Sequence, residues 1–335
     1  MNDLLHEFER LSRVYGEHTF FCLQDDGPSI TYSFAQANFA SVALAQGLLR
    51  NGVQPGSIVA CRMYNGPELV VASLAAAWGG FDLALVNPRF SDRQHQECLD
   101  ELGSVAITLE EGDFTRLMLD ACGMELSEIA QVSAGELAAK IDADSLKDFA
   151  EERLEAFDPE ACGVVMFATK GTAAPVAVPL TWARLTRSAR QANEQLKVGK
   201  DTVWQLVLPL CGIDGFQVMV RSLMNATPFL LYSRYSTLRV LNDVLPLKVT
   251  HISVVATHLR ELLECDHDAV LCEYQCILLG GAEPSGDLLR AADKAGAHLV
   301  MAHTVDADAD LISRGHELGL NCTYDKDYIE LVARN

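Results

Sequence analysis

The middle of the chain reads Val164-Val165-Met166-Phe167-Ala168-Thr169-Lys170-Gly171-Thr172-Ala173-Ala174-Pro175-Val176-Ala177-Val178-Pro179-Leu180-Thr181. The apolar run at its start predicts a buried strand, and the residues from Val176 onward predict a second one. The loop between them consists mainly of small residues, so that backbone N–H groups can converge there on an anion such as phosphate. Its candidate phosphate-loop residues are Thr169, Lys170, Gly171 and Thr172. By itself the loop is weak evidence for a function.

Strands and helices alternate on both sides of this stretch. Upstream, Ile58–Tyr64 and Phe81–Val86 predict strands, and residues 34–51 and 67–78 carry apolar side chains at helical spacing. Further strands are predicted at residues 203–208, 228–232, 249–256, 275–279 and 298–302. This alternation predicts an α/β fold with a largely parallel sheet.

Capping residues mark several predicted helix starts. Ser33, Thr181 and Thr257 each precede a helical segment, where a side-chain oxygen can accept hydrogen bonds from free backbone N–H groups. Asp214 stands before a helix predicted from Phe216 in an otherwise apolar loop. It either caps that helix or binds an amine or hydroxyl group of a ligand.

Composition narrows the function classes. The chain has 335 residues, of which 49% are hydrophobic, enough for one large or two medium domains. Its net charge of −20 argues against nucleic acid and anionic membranes as partners. No apolar run reaches the roughly 18–20 residues of a membrane helix, and the start does not resemble a signal peptide. The ten cysteines therefore indicate reduced core thiols in a cytoplasmic protein.

Acidic residues concentrate in one segment. Residues 91–160 contain 19 Asp or Glu and 5 Lys or Arg, a net charge of −14. We expect a solvated face and a variable linker of mixed helix and loop.

The central loop resembles the phosphate loop of the adenylate-forming superfamily, which comprises acyl-CoA synthetases, aryl-acid ligases and adenylation domains. That loop runs approximately Thr-Ser-Gly-Thr-Thr-Gly-x-Pro-Lys-Gly. Thr172 and Pro175 hold their places, whereas Lys170 stands for a Gly, Ala173 for the second Gly and Val176 for the Lys. Other matching fragments are Thr31-Tyr32, residues 52–56, Asn65-Gly66-Pro67-Glu68 and Val86-Asn87-Pro88-Arg89. Residues 208–210, 250–257 and 277–282 resemble the o-succinylbenzoate–CoA ligase branch.

The resemblance implies two stacked helix–sheet–helix subdomains, like those of the large N-terminal domain of these enzymes. We expect the first at residues 1–160, the second at 161–317 and a terminal β-hairpin at 318–335. Family members continue into a small C-terminal domain that carries a Lys for adenylation, and we expect this chain to lack it.

The resemblance also implies a reaction, but several residues that carry it in the family are replaced in this sequence. The family activates a carboxylate with ATP and passes the acyl group to coenzyme A or a carrier protein. Its His after Pro-Leu is replaced here by Gly212, and its Tyr-Gly-x-Thr-Glu motif aligns with residues 303–307, where Ala307 replaces the Glu. These replacements predict that standard ATP-dependent activation is lost.

The predicted small-molecule pocket comprises Cys211, Asp214, Gly280, Gly281, Ala282, His303, Thr304 and Asp306. No catalytic residue is assigned, and the candidates are Cys211, His251 and His303. Cys211 could form a nucleophilic pair with His251 or His258, although core packing of all three is the favoured interpretation. The spacing of Cys265, His267, Cys272 and Cys276 fits no standard zinc pattern, so no metal is predicted.

Three hypotheses follow. The leading one is a divergent member without standard ATP chemistry, whose pocket binds an acyl or aryl acid or an acyl thioester, or transfers an acyl group differently. The second is an active AMP-forming ligase that uses ATP and magnesium through Lys170 and Asp306, with a C-terminal domain from another chain. The third is a structural partner of an active homologue. A carrier protein, a partner enzyme and a homodimer are all compatible with these hypotheses.

Overall fold

The computed structural model describes residues 3–25, 27–143, 146–168, 174–281, 284–303, 320–325 and 328–333. Its strands are β1 (Thr19–Gln24), β2 (Ile30–Ser33), β3 (Ile58–Cys61), β4 (Asp82–Leu85), β5 (Ile107–Leu109), β6 (Cys162–Ala168), β7 (Val176–Thr181), β8 (Trp204–Leu206), β9 (Phe229–Tyr232), β10 (His251–Val255), β11 (Cys276–Gly280), β12 (Leu299–His303), β13 (Leu320–Asp325) and β14 (Tyr328–Ala333). Its α-helices are α1 (Leu4–Val14), α2 (Phe34–Arg50), α3 (Pro67–Gly79), α4 (Asp92–Leu102), α5 (Glu111–Cys122), α6 (Leu126–Ile129), α7 (Ala134–Ala143), α8 (Leu146–Ala156), α9 (Trp182–Gln195), α10 (Ile213–Asn225), α11 (Thr237–Val244), α12 (Ala256–Cys265) and α13 (Gly286–Lys294).

Two sheets organise these strands. The smaller sheet has the order β5-β3-β4-β6-β7 and is parallel except for the β6–β7 pair. The larger sheet has the order β13-β14-β12-β11-β10-β8-β9-β1-β2. It is parallel from β12 to β1, with antiparallel strands added at both ends. The predicted α/β class with parallel sheets is confirmed.

The central strands of the larger sheet are buried nearly throughout. All five residues of β11 are buried, and four of the five in β10 are buried. Helices cover both faces of a parallel sheet, so its strands carry continuous apolar runs and do not alternate with polar residues. This burial accounts for the apolar runs from which the sequence predicted these strands.

The division of strands between the two sheets does not follow their order in the chain. β1 and β2 join the larger sheet through the β1–β9 pair, whereas β6 and β7 complete the smaller sheet. The predicted terminal hairpin of β13 and β14 is present and extends the larger sheet through β12. The predicted ranges 1–160, 161–317 and 318–335 therefore do not correspond to separate sheets, because hydrogen bonding at strand edges joins segments distant in sequence.

Helix α2 is central to the N-terminal part. Fourteen of its 17 residues are buried, and its N-cap is Ser33, whose side chain accepts a hydrogen bond from the Gln36 N–H in a capping box. Helices α5 to α8, from the acid-rich segment, pack against it. They bury apolar residues including Phe114, Leu117, Met118, Ile129 and Leu137. The segment has the expected solvated face, but the prediction of a variable linker is wrong because its apolar face covers α2.

Candidate functional site

The parallel strands of the larger sheet end at one edge, which carries most of the predicted pocket residues. β8 leads into a turn over residues 207–212, β11 ends at Gly280, and β12 ends at His303. In open α/β sheets, ligands bind in the crevice at the carboxyl ends of the strands. We call this edge, with the segments that follow its strands, the carboxyl edge.

The turn after β8 is tightly closed. The Gly212 N–H donates a hydrogen bond to the Pro209 carbonyl over 3.0 Å, and α10 then begins at Ile213 with Gly212 as its N-cap. A Cβ atom at Gly215 would lie 2.3 Å from the Pro209 carbonyl oxygen. Glycine is therefore required for the first turn of α10 to pack on this turn.

Asp214 lies within the first turn of α10. The prediction that it caps a helix from Phe216 is wrong, because α10 begins three residues earlier, after the extended backbone of Gly212. The Asp214 side chain is partly buried, and a Cβ atom at Gly280 would lie 3.4 Å from its Oδ2 atom. Burial raises the pKa of this carboxyl group, and the charge of Arg221 opposes the rise.

The Asp214 carboxylate keeps its capacity to accept hydrogen bonds. Within the described part of the chain, no hydrogen bond reaches it, and its electrostatic partner is the guanidinium of Arg221. A carboxylate near a helix N-terminus is favoured by the helix dipole. Its oxygens are nevertheless open to a donor group on a bound molecule.

Cys211 belongs to this turn, and its side chain is partly buried. Burial raises its pKa to about 11, and the charge of Arg89 offsets this only in part. At neutral pH the protonated thiol is therefore the dominant form. Because the thiolate is the nucleophile, Cys211 is not activated for covalent chemistry by the groups around it.

Arg89 brings a positive charge to this edge from the smaller sheet. It follows β4, and its backbone N–H donates a hydrogen bond to Asn87 Oδ1 over 2.9 Å. Its guanidinium lowers the pKa of both Cys211 and His258, although burial is the larger influence on each. Both residues belong to segments that follow strands of the larger sheet, so the exposed Arg89 lies within electrostatic reach of the carboxyl edge. The sequence marked Arg89 only as part of a family fragment.

His251 lies at the opposite end of the larger sheet. It is the first residue of β10 and pairs in register with Trp204 and Cys276, the first residues of β8 and β11. Four residues of strand, about 13 Å, separate it from the carboxyl end of β10. It is buried beside the Trp204 ring, at 4.8 Å between centroids, and burial lowers its pKa to about 4. The suggested pairing with Cys211 is therefore wrong, because the two residues lie at opposite ends of parallel strands.

His258 is on the correct side of the sheet for the candidate site. It lies in α12, directly after β10, and its ring stacks on Tyr235 with 3.9 Å between centroids. Burial lowers its pKa. The predicted cap at Thr257 is wrong, because α12 begins at Ala256 with the extended Val255 as its N-cap.

Asn65 connects the two sheets at the candidate site. Its Nδ2 atom donates hydrogen bonds to the Leu208 carbonyl over 2.9 Å and the Tyr232 carbonyl over 3.2 Å. Its Oδ1 atom accepts a hydrogen bond from the Leu210 N–H over 2.8 Å. Asn65 stands in a family fragment of the sequence, but its partners become visible only once the two sheets are placed together.

Several predicted site residues lie outside the described residues. These are Thr169, Lys170, Gly171 and Thr172 of the phosphate loop, together with Ala282, Thr304 and Asp306. The backbone of His303 pairs with Ile329 of β14. Gly281 has a φ angle of +85°, a left-handed conformation that glycine adopts without strain.

The described residues contain no group of three or more His, Cys, Asp or Glu side chains that could hold a metal ion. Two cysteines of the group whose spacing fits no zinc pattern differ in burial: Cys276 is buried at the start of β11, and Cys272 is exposed. No helix in the described ranges is both long and apolar enough to cross a membrane.

A groove of about 390 Å³ lies away from the carboxyl edge, near the carboxyl-terminal ends of α9 and α10. Its lining residues are Glu7, Arg190, Asn193, Glu194, Val198, Met224 and Asn225. Because α10 runs back across the sheet from the carboxyl edge, this groove is separate from the candidate site.

The fold and the carboxyl edge agree with the family that the sequence matches. The AMP-binding enzyme family matches residues 8–303, and the chain belongs to this family. The resemblance to adenylate-forming enzymes is thereby confirmed.

Several similar proteins in the family share one name. The 2-succinylbenzoate–CoA ligase of Bacillus subtilis (strain 168) is 29% identical over 269 residues, which are 79% of this chain and 52% of that protein. The ligase of that name from Geobacillus kaustophilus (strain HTA426) is 27% identical over 286 residues, 84% of this chain and 55% of that protein. The chain thus spans about half the length of the curated relatives it matches.

Solved structures share the fold. O-succinylbenzoate coenzyme A synthetase from Bacillus subtilis, in complex with AMP, matches with a TM-score of 0.68 at 22% identity, over 90% of this chain and 73% of that one. VinN in complex with 3-methylaspartate matches with a TM-score of 0.65 at 14% identity, over 89% of this chain and 77% of that one. At these identities the likeness establishes the architecture alone.

Proposed function

We propose that this chain is a divergent adenylate-forming ligase-like protein that binds an acyl or aryl acid, or its thioester. In this proposal it does not carry out the standard ATP-dependent activation of a carboxylate. The observation that carries the proposal is the partly buried Asp214 carboxylate, which lies against Gly280 and receives no hydrogen bond from the described residues.

The replaced residues support the loss of ATP chemistry. Gly212 stands where the family has a His, Val176 replaces the phosphate-loop Lys, and Ala307 replaces the motif Glu. Phosphoryl chemistry depends on cations and on a magnesium ion held by oxygen ligands. In the described part of the carboxyl edge, Asp214 is not accompanied by the further ligands that would enclose a metal. Gly212, Val176 and Ala307 supply neither the cation nor the oxygen ligand that the family has at these positions, and no step of the proposal runs through a nucleotide–magnesium complex.

Binding is favoured over altered acyl transfer. A covalent route needs a thiolate or an adjacent general base. Burial keeps the Cys211 thiol protonated at neutral pH, with a pKa of about 11, and His251 lies at the far end of the sheet. The carboxyl edge therefore suits recognition of a ligand better than formation of an acyl-enzyme.

The charges at this edge suggest the chemistry of the ligand. Arg89 provides a cation for a carboxylate, and Asp214 provides an acceptor for a hydroxyl or amine group. A site whose buried polar group hydrogen-bonds the ligand rejects strongly a ligand that lacks the matching group. We therefore propose an acid that carries a second, hydrogen-bond-donating group.

The proposed setting is the cytoplasm, because the nine cysteines with described side chains are all free thiols. A carrier protein, a partner enzyme or a second copy of the chain could present or receive the ligand. With a net charge of −20, we propose neither nucleic acid nor membrane as a partner.

The proposal is tested by calorimetric titration with benzoate and with the 2-, 3- and 4-hydroxybenzoates. We expect at least one hydroxybenzoate to bind at least tenfold more tightly than benzoate. Asp214→Asn should remove this preference, whereas Asp287→Asn, at an exposed position in α13, should retain it. Absence of binding to every acid, or an equal preference in Asp214→Asn, would overturn the proposal.

A further inference from the structure

Asn65 is the residue through which the smaller sheet reaches the turn of the candidate site. It lies between β3 and α3, yet its three side-chain hydrogen bonds go to Leu208, Leu210 and Tyr232. Leu208 and Leu210 belong to the turn after β8, and Tyr232 is the last residue of the neighbouring β9. One amide group thus joins both sheets.

The chemistry of these contacts requires an amide. Two of the partners are carbonyl oxygens, which need a donor, and the third is an N–H group, which needs an acceptor. A carboxamide offers two donor hydrogens and an acceptor on one planar group. A carboxylate would set an oxygen against two carbonyls, and an alanine would leave all three backbone groups without this partner.

Covalent bonds and close packing connect the turn held by Asn65 to Cys211 and Asp214. Leu210 directly precedes Cys211, and the Gly212 N–H closes the turn onto Pro209. Close packing of Gly215 on Pro209 then connects the turn to the first turn of α10, which carries Asp214. A displacement at Leu210 is therefore transmitted to Cys211 and to Asp214.

We propose that Asn65 is a positioning residue of the candidate site. It holds the turn after β8 at a fixed place relative to the smaller sheet, and so determines where Cys211 and Asp214 lie with respect to Arg89. The inference rests on the proposed function, since it takes these three residues as the binding site. Asn65 acts through the turn and contacts no ligand itself.

The test uses the reactivity of Cys211. The full chain is treated with iodoacetamide, and alkylation of Cys211 is followed by peptide mass spectrometry relative to the exposed Cys272 in the same sample. We expect Asn65→Ala to raise the Cys211 rate at least tenfold. Asn38→Ala is the matched control, because the Asn38 amide likewise both donates a hydrogen bond, to Ser12, and accepts one, from Trp78. The control should leave the Cys211 rate within twofold of wild type.

An unchanged Cys211 rate in Asn65→Ala would overturn the inference, as would an equal rise in Asn38→Ala. If Asn65→Ala fails to fold, Asn65→Asp takes its place, because it keeps the acceptor for the Leu210 N–H and loses both donors. The same rise is expected from it, and no rise overturns the inference. The measurement uses no ligand, so failure of the proposed function would appear separately, as absence of heat in the calorimetric titration.

Discussion

The carboxylate of Asp214 lies against the backbone of Gly280, where a Cβ atom would come within 3.4 Å of Oδ2. Asp214 belongs to the first turn of α10 and Gly280 is the last residue of β11, so the contact joins two elements at the carboxyl edge. A partly buried carboxylate without a hydrogen-bonding partner among the described residues reduces stability. Such an arrangement is typical of a binding site, where function has a cost in stability.

Asp214→Asn should increase stability at neutral pH. Burial raises the pKa of Asp214 in the folded state above the ordinary aspartate value of about 3.9. Its contribution is therefore most favourable below that value and is lost as the pH rises through the folded-state pKa. We expect the variant to be more stable at pH 7 by between about 0.5 and 2 kcal/mol.

Urea unfolding at pH 4 and at pH 7 checks this expectation. The gain of Asp214→Asn over wild type should shrink towards pH 4. Asp287→Asn controls for loss of one negative charge and should change stability by less than about 0.5 kcal/mol at either pH. A loss of stability in Asp214→Asn at pH 7 would contradict the assignment of Asp214 as a destabilising buried acid.

Removing the charge of Arg89 should be detectable at His258, in the helix that follows β10. Arg89 lowers the pKa of His258, so Arg89→Gln should raise it. An NMR titration of the His258 imidazole measures the shift. Arg93→Gln is the control, because Arg93 is exposed and pairs with Glu97 over 2.8 Å on α4. Equal titration curves for wild type and Arg89→Gln would show that Arg89 does not face this site.

Two glycine substitutions should have opposite effects on stability. In Gly215→Ala the new Cβ atom would overlap the Pro209 carbonyl, which is backbone and cannot rotate away, and we expect a loss of about 2 kcal/mol or more. Gly135 lies in α7 with nothing within 4 Å of a built Cβ atom. Gly135→Ala should therefore gain between about 0.4 and 1 kcal/mol. Thermal or urea unfolding of both variants measures the difference, and a neutral Gly215→Ala would contradict the close packing of this turn.

Cys211 should not accept an acyl group at neutral pH. Its thiol, with a pKa of about 11, is protonated under these conditions. Incubation with benzoyl-CoA at pH 7 should leave the intact mass of the chain unchanged. An added benzoyl group that is present in wild type and missing in Cys211→Ala would instead support altered acyl transfer.

Local signals in the sequence predicted much of the fold. Ser33 and Thr181 are N-caps as expected, because each accepts a hydrogen bond from the N–H three residues later. The apolar runs located the parallel strands, because strands covered by helices on both faces are buried along their length. The starts of α10 and α12 were misplaced, because the extended backbones of Gly212 and Val255 cap those helices without a side-chain signal.

The residues of the candidate site were harder to predict from the sequence than the fold. Cys211 and Asp214 could be proposed from an apolar loop with an acidic residue, and their role as a pocket remains a prediction. Arg89 and Asn65 were not identified as site residues. Their importance depends on how the two sheets face each other, and no local pattern encodes that arrangement. His251 was considered as a partner of Cys211 although the strand predicted at 249–256 already placed it near the amino end of β10.

The central claim is that this chain does not activate carboxylates with ATP. The most direct measurement is release of pyrophosphate from ATP and magnesium by the purified chain, with and without 2-succinylbenzoate and the benzoates. We predict no acid-dependent pyrophosphate above the rate without protein. Acid-dependent release that is lost in Lys170→Ala would contradict the account and establish the chain as an AMP-forming ligase with a substituted phosphate loop.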